Sequence, residues 1–164
     1  MGFIIPALAF IALAVGLYLY WHHRAPKFSQ ITEQDYLNIN NGIYHPEFEK
    51  ACAAMLKDVS AKVTTFFNEP HDYTHYKLSD LIQKCEVVDR LPNGAGAAIH
   101  RDPPTLQGVT TLQMTRWSMK DMLRFQHELL HRIVWDDPDL EKKCELFASN
   151  GYHWPVAFDQ YGSH

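Results

Sequence analysis

Five consecutive residues, His127, Glu128, Leu129, Leu130 and His131, set two imidazoles four positions apart with a carboxyl group beside the first. On a helix, residues i and i+4 share a face, so the two rings can meet. Neutral imidazole is a common ligand for borderline divalent metals. A carboxyl group next to it can take or give a proton. The chemistry open to this stretch is therefore metal binding joined to acid–base work. The same interval recurs at His71 and His75, within HDYTHYK. That stretch is polar and aromatic without helical period, and its histidines read as hydrogen-bonding surface groups.

HELLH resembles the HExxH motif of the zincin metallopeptidases. The resemblance covers five residues and implies zinc bound by His127 and His131, with Glu128 as general base for an attacking water. It also implies a third ligand. No GxxH follows, so the candidates are carboxylates of the next helix, Glu145 or the nearer Glu141. A zincin needs in addition an upper substrate-binding strand, and no strand with an evident partner stands out. Arg132 follows the second histidine, and Lys120 and Arg124 share the helical face; cations there oppose a dication. The competing reading of Lys120, Arg124, His127, Glu128 and His131 is a solvated or partner-facing stripe. Together the two HxxxH intervals are also similar to the histidine boxes of membrane di-iron desaturases, which have several spans and more boxes. There is no GxSxG, no phosphate-binding glycine loop and no CxxCH.

The elements that would carry these residues read as helices. Thr32 and Asp35 form a capping-box pair that opens a short helix to residue 39, stopped by Asn40, Asn41 and Gly42. Pro46 starts a helix of about 22 residues, with Phe48, Cys52, Met55, Leu56, Val59, Val63, Phe66 and Phe67 as one apolar stripe. Leu78, Leu81, Ile82, Cys85 and Val88 predict a second amphipathic helix ending near Leu91. Residues 93–108 predict an irregular extended loop, rich in glycine and proline. Residues 109–117 alternate as a short strand would. Ser118 is the expected N-cap of the helix carrying HELLH, which ends at Asp136-Asp137-Pro138. Cys52, Cys85 and Cys144 fall on apolar faces, and their odd number argues against a disulfide framework.

Residues 2–21 contain no charged side chain. Twenty helical residues span roughly 30 Å, the thickness of a bilayer's hydrocarbon core. Arg24 and Lys27 follow on one side, which by the positive-inside rule points the rest of the chain to the cytoplasm or matrix. The organisation expected is thus a transmembrane anchor at 1–24, a helical soluble domain at 25–151, and an aromatic extended tail at 152–164. The expected fold class is mainly α. Tyr152, Trp154, Phe158 and Tyr161 in that tail would expose apolar surface unless docked, so they are the expected partner-binding residues. A net charge of −4 gives no electrostatic reason for nucleic acid. These features lead to a structural accessory subunit of a multi-subunit membrane complex, lipid-embedded and bound to other subunits, without cofactor. By analogy with small one-span supernumerary subunits, the host would be a mitochondrial inner-membrane respiratory or ATP-synthase-type complex, with the soluble part on the matrix side. The alternative is a membrane-anchored zinc-dependent hydrolase using HELLH, with Glu128 catalytic and His127, His131 and Glu145 on the metal.

Overall fold

The structure, a computed structural model, describes residues 26–102 and 108–141. Helix α1, Glu33–Asn38, starts on the expected capping box: Thr32 N–H donates to the Asp35 carboxylate at 2.8 Å, and Asp35 N–H donates to the Thr32 hydroxyl at 3.4 Å. One 3₁₀ turn, Ile39–Asn41, follows and ends on Gly42, whose φ of 70° lies in the left-handed region. Helix α2, Pro46–Phe67, has 22 residues, with Pro46 in its first turn. Its buried stripe runs from Phe48 through Cys52, Met55, Leu56 and Val59 to Val63; Phe66, at 43% exposure, is off the core. Helix α3, Leu78–Leu81, is a single turn. Strand β1, Lys84–Val88, strand β2, Ala97–Asp102, and strand β3, Val109–Thr115, come next. Helix α4, Met122–Asp136, carries HELLH.

The three strands form one mixed sheet in the order β1-β3-β2, with β1 parallel and β2 antiparallel to β3. Register puts Cys85, Leu112 and Ile99 in one row, and Val87, Met114 and Ala97 in the next. That apolar face covers the core. The other face is polar, with a Gln113 side-chain amide donating to the Glu86 carboxylate at 2.8 Å. Helix α4 lies between the sheet, where it meets β2, and α2. It is buried almost all round, from Phe125 through Leu130 and from Arg132 through Val134. Phe125 stacks on Phe48 with ring centroids 4.9 Å apart and planes 18° apart, and Phe28 meets both edge-on. The Gln126 side-chain amide, also buried, donates to the Ala51 carbonyl of α2 at 2.8 Å.

Several expectations change. The fold is not mainly α: a three-stranded mixed sheet runs through its centre. The helix expected from Leu78 to Leu91 stops at Leu81, because the chain turns extended at Ile82 and then pairs with β3. Cys85 and Val88 fit a helical spacing, but Lys84-Cys85-Glu86 alternates between exposed and buried as a strand does. The loop expected at 93–108 contains β2. The N-cap of α4 is Asp121, whose carboxylate accepts Arg124 N–H at 3.0 Å, whereas Ser118 sits in the preceding turn and donates to the Gly96 carbonyl. The integral-membrane, single-pass reading is also corrected. No helix among the described residues is long and apolar enough to cross a membrane. The longest, α2, carries Glu47, Glu49, Lys50, Lys57, Asp58 and Lys62. The segment expected as the anchor, 1–24, lies outside the described residues, and the inner-membrane placement built on it is not carried forward.

Truncating the ring that joins α4 to α2 tests this packing. Phe125→Ala should cost about 3–5 kcal/mol in chemical denaturation, with little change in m. A loss below about 1 kcal/mol would mean that Phe125 is not the keystone of the core.

Candidate functional site

The site is built along one side of α4. Gly96, just before β2, approaches Arg124 so closely that a Cβ there would stand 2.6 Å from the Arg124 side chain. Near the other end of β2, the Arg101 guanidinium lies over the Trp135 ring at 5.3 Å from its centroid. Five residues of strand and eleven of helix each advance about 17 Å. Strand β2 and the 124–135 stretch of α4 therefore run side by side in the same direction, and His127 and His131 fall alongside the strand's middle.

Within this stretch the two histidines do meet. Their Nε2 atoms are 3.1 Å apart, with ring planes 82° apart. Two nitrogens on one tetrahedral zinc, at the usual bond length, stand about 3.3 Å apart. The contact has the length of a hydrogen bond between the two rings, and a divalent ion in place of its proton requires a shift of a few tenths of an ångström. His127 is buried and His131 half-buried, backed by Trp135 at 6.2 Å between ring centroids. Glu128 is 6% exposed, and its burial pushes the carboxyl up to about 7 against the opposing pull of Arg124. A group that titrates near neutrality is suited to moving protons.

The cations that oppose a metal in the sequence are each turned to a partner. Arg132 is buried, pairs with Asp136, and donates from Nε to the Thr110 hydroxyl of β3 at 3.1 Å. Arg124 is 3.5 Å from Asp121 and lies over the Trp117 ring. Lys120 lies in the turn before α4 and donates to the Ile31 carbonyl. The stripe of Lys120, Arg124, His127, Glu128 and His131 is therefore not a solvated face: His127 and Glu128 are inside, and Lys120 is off the helix.

Strand β2 supplies what the sequence did not reveal. Among the described residues it is an edge strand, paired on one side only. Thr115 N–H donates to the Gly96 carbonyl at 2.9 Å, which makes Gly96, Ala98 and His100 the hydrogen-bonded positions. Ala97 and Ile99 then turn their N–H and C=O groups to the open side. An open groove of about 390 Å³ lies there, lined by Ile99, His100, Arg101, Trp135 and Glu141. The signal for β2 was Ala97 and Ile99 alternating with Ala98 and His100, masked by the glycines and prolines around it.

Among the described residues, no third His, Cys, Asp or Glu joins His127 and His131 within coordinating distance. Glu141 lies on the groove; Glu145, and the tail residues Tyr152, Trp154, Phe158 and Tyr161, lie outside the described residues. His71 and His75 do not converge. His71 stacks on Tyr73, and His75 lies tilted against Tyr76.

Burial of Glu128 has a consequence for stability. Its folded value of about 7 lies above its ordinary 4.5, so between the two the folded chain holds more protons than the unfolded one. Metal-free protein should lose roughly 3 kcal/mol as pH rises from about 4.5 through about 7. Denaturation at fixed pH steps checks this, and Glu128→Gln should flatten the slope. An unchanged slope in the variant would assign the effect to other groups. Comparison with known protein families, with curated proteins and with solved structures finds no match to this chain.

Proposed function

We propose that this protein is a metal-dependent hydrolase of peptide bonds, with His127 and His131 as metal ligands and Glu128 as the proton carrier. The observation that carries the reading is the 3.1 Å approach of the two Nε2 atoms alongside an edge strand. Glu145, four residues beyond the groove-lining Glu141, is the proposed third ligand. A divalent ion held there supplies polarisation of the scissile carbonyl and a more acidic water.

The chain's own groups do the rest. Ala97 and Ile99 offer N–H and C=O groups to an extended peptide, which adds to β2 as a further strand. In this reading β2 serves as the upper strand that the zincin resemblance implies. The substrate backbone then lies beside the middle of α4. The Glu128 group, which titrates near neutrality, in its carboxylate form takes a proton from the attacking water and returns it to the leaving amine as the C–N bond breaks. Trp135 lines the groove and sets its ring 6.2 Å from that of His131. The accessory-subunit reading drew chiefly on residues 1–24 and 152–164, both outside the described residues.

Metal analysis joined to a cleavage assay tests the proposal. His131→Ala should lower bound zinc by about one equivalent per chain. Glu128→Gln should keep that metal and slow cleavage of an unfolded protein substrate by about 10²–10⁴-fold. The proposal is wrong if His131→Ala binds as much zinc as the parent, or if Glu128→Gln cleaves at the parental rate.

A further inference from the structure

A second cluster stands where the end of α2 meets the chain leaving α4. Helix α2 ends on Asn68, whose φ of 53° turns the chain back, and Glu69 and His71 follow. Asp139 belongs to the helical stretch 138–141. One ligand atom each from Glu69, His71 and Asp139 lies within 4.8 Å of the other two.

His71 is the informative member. Its Nδ1 is 3.2 Å from the Tyr73 hydroxyl, and that hydroxyl donates to Asp137 Oδ2 at 2.8 Å. A phenol has one proton to give. Since Asp137 takes it, Tyr73 can only accept from His71, and the hydrogen of the neutral ring sits on Nδ1. The lone pair is then on Nε2. That atom is buried and has no hydrogen-bond partner. Glu69 Oε2 stands 3.6 Å from it, beyond hydrogen-bonding reach. A buried acceptor faces carboxylate oxygens, an arrangement that is relieved by a cation between them, either a proton on Nε2 or a metal ion.

We propose that Glu69, His71 and Asp139 hold a divalent metal ion. One imidazole and two carboxylates suit zinc, whose bonds to such ligands are about 2.0–2.2 Å. Tyr73 and Asp137 form the outer shell that fixes the ring and its tautomer, as ligating histidines require. The ion ties the end of α2 to the chain just beyond the HELLH helix. This site shares no residue with the HELLH centre and does not depend on it.

Calorimetric titration of the metal-free full chain with Zn²⁺ separates the two sites. A His127→Ala/His131→Ala double variant lacks the HELLH pair. It should still take up about one Zn²⁺ per chain and melt at a higher temperature with zinc than without. Asp139→Asn, an exposed substitution, should abolish both effects in that background. Tyr73→Phe should weaken the affinity about tenfold or more. If the double variant fails to fold, Asp139→Asn in the otherwise unchanged chain should remove one equivalent from the total. The proposal is overturned if the folded double variant binds no zinc, or if Asp139→Asn binds as much as its parent. A failure of the HELLH reading would instead leave the unchanged chain with one equivalent, still sensitive to Asp139→Asn.

Discussion

The stacking of Phe125 on Phe48 fixes the helix on which everything else depends. Helix α4 has a sheet on one side and α2 on the other, which leaves the stripe of Arg124, His131 and Trp135 half-open to solvent. A rotation of one residue would turn a side chain by about 100°, and would drive Phe125 out of its aromatic cage and Gln126 away from the Ala51 carbonyl. Each of those contacts is worth on the order of 1 kcal/mol or more, and they act together. His127 and His131 inherit their aim from this constraint. Their approach is set by packing several residues away, and their own chemistry adds little to it.

The same constraint sorts the charges. A helix buried almost all round cannot leave arginines unpaired, and Arg132 answers this by bonding to Asp136 and Thr110. Arg101 reaches the same carboxylate from β2 at 3.6 Å, so one acid joins helix and edge strand. The result is that positive charge is drawn toward partners, while Glu128 keeps a desolvated carboxyl. Burial usually costs a carboxyl group stability, and here it leaves a group that can exchange protons near neutral pH.

The parts of the fold that were legible in the sequence are those decided locally. The Thr32–Asp35 box, Pro46 at the head of α2, and the break after Asp136 each rest on bonds within four residues. The sheet was illegible for the converse reason. Lys84–Val88 becomes a strand because Thr111–Thr115 is waiting beside it, 27 residues on. Ala97–Asp102 becomes one because the same β3 has a second edge. Neither segment is long enough to declare itself without that partner. With the helical spacing of Leu78 to Val88 predicting a helix there, β3 has no partner in the sequence, and the edge strand of the candidate site goes unmarked. The motif itself was visible, but the cations around it misled, since sequence spacing does not say that Arg132 turns toward Asp136.

The two histidine pairs put a limit on what spacing alone can mean. His127 and His131, and His71 and His75, share one interval. The first pair lies on a helix, where four residues return the chain nearly to the same azimuth, and its nitrogens meet at 3.1 Å. The second lies between α2 and α3, where no such return exists, and each ring packs against a different tyrosine. His71 is nevertheless the more constrained of the two, because Tyr73 and Asp137 settle which nitrogen carries its hydrogen. Its candidate co-ligand Asp139 lies 68 positions away, beyond the reach of any local pattern. An HxxxH interval thus points to a ligand pair only where a helix turns it into proximity. Elsewhere, the partners of a histidine are set by the fold.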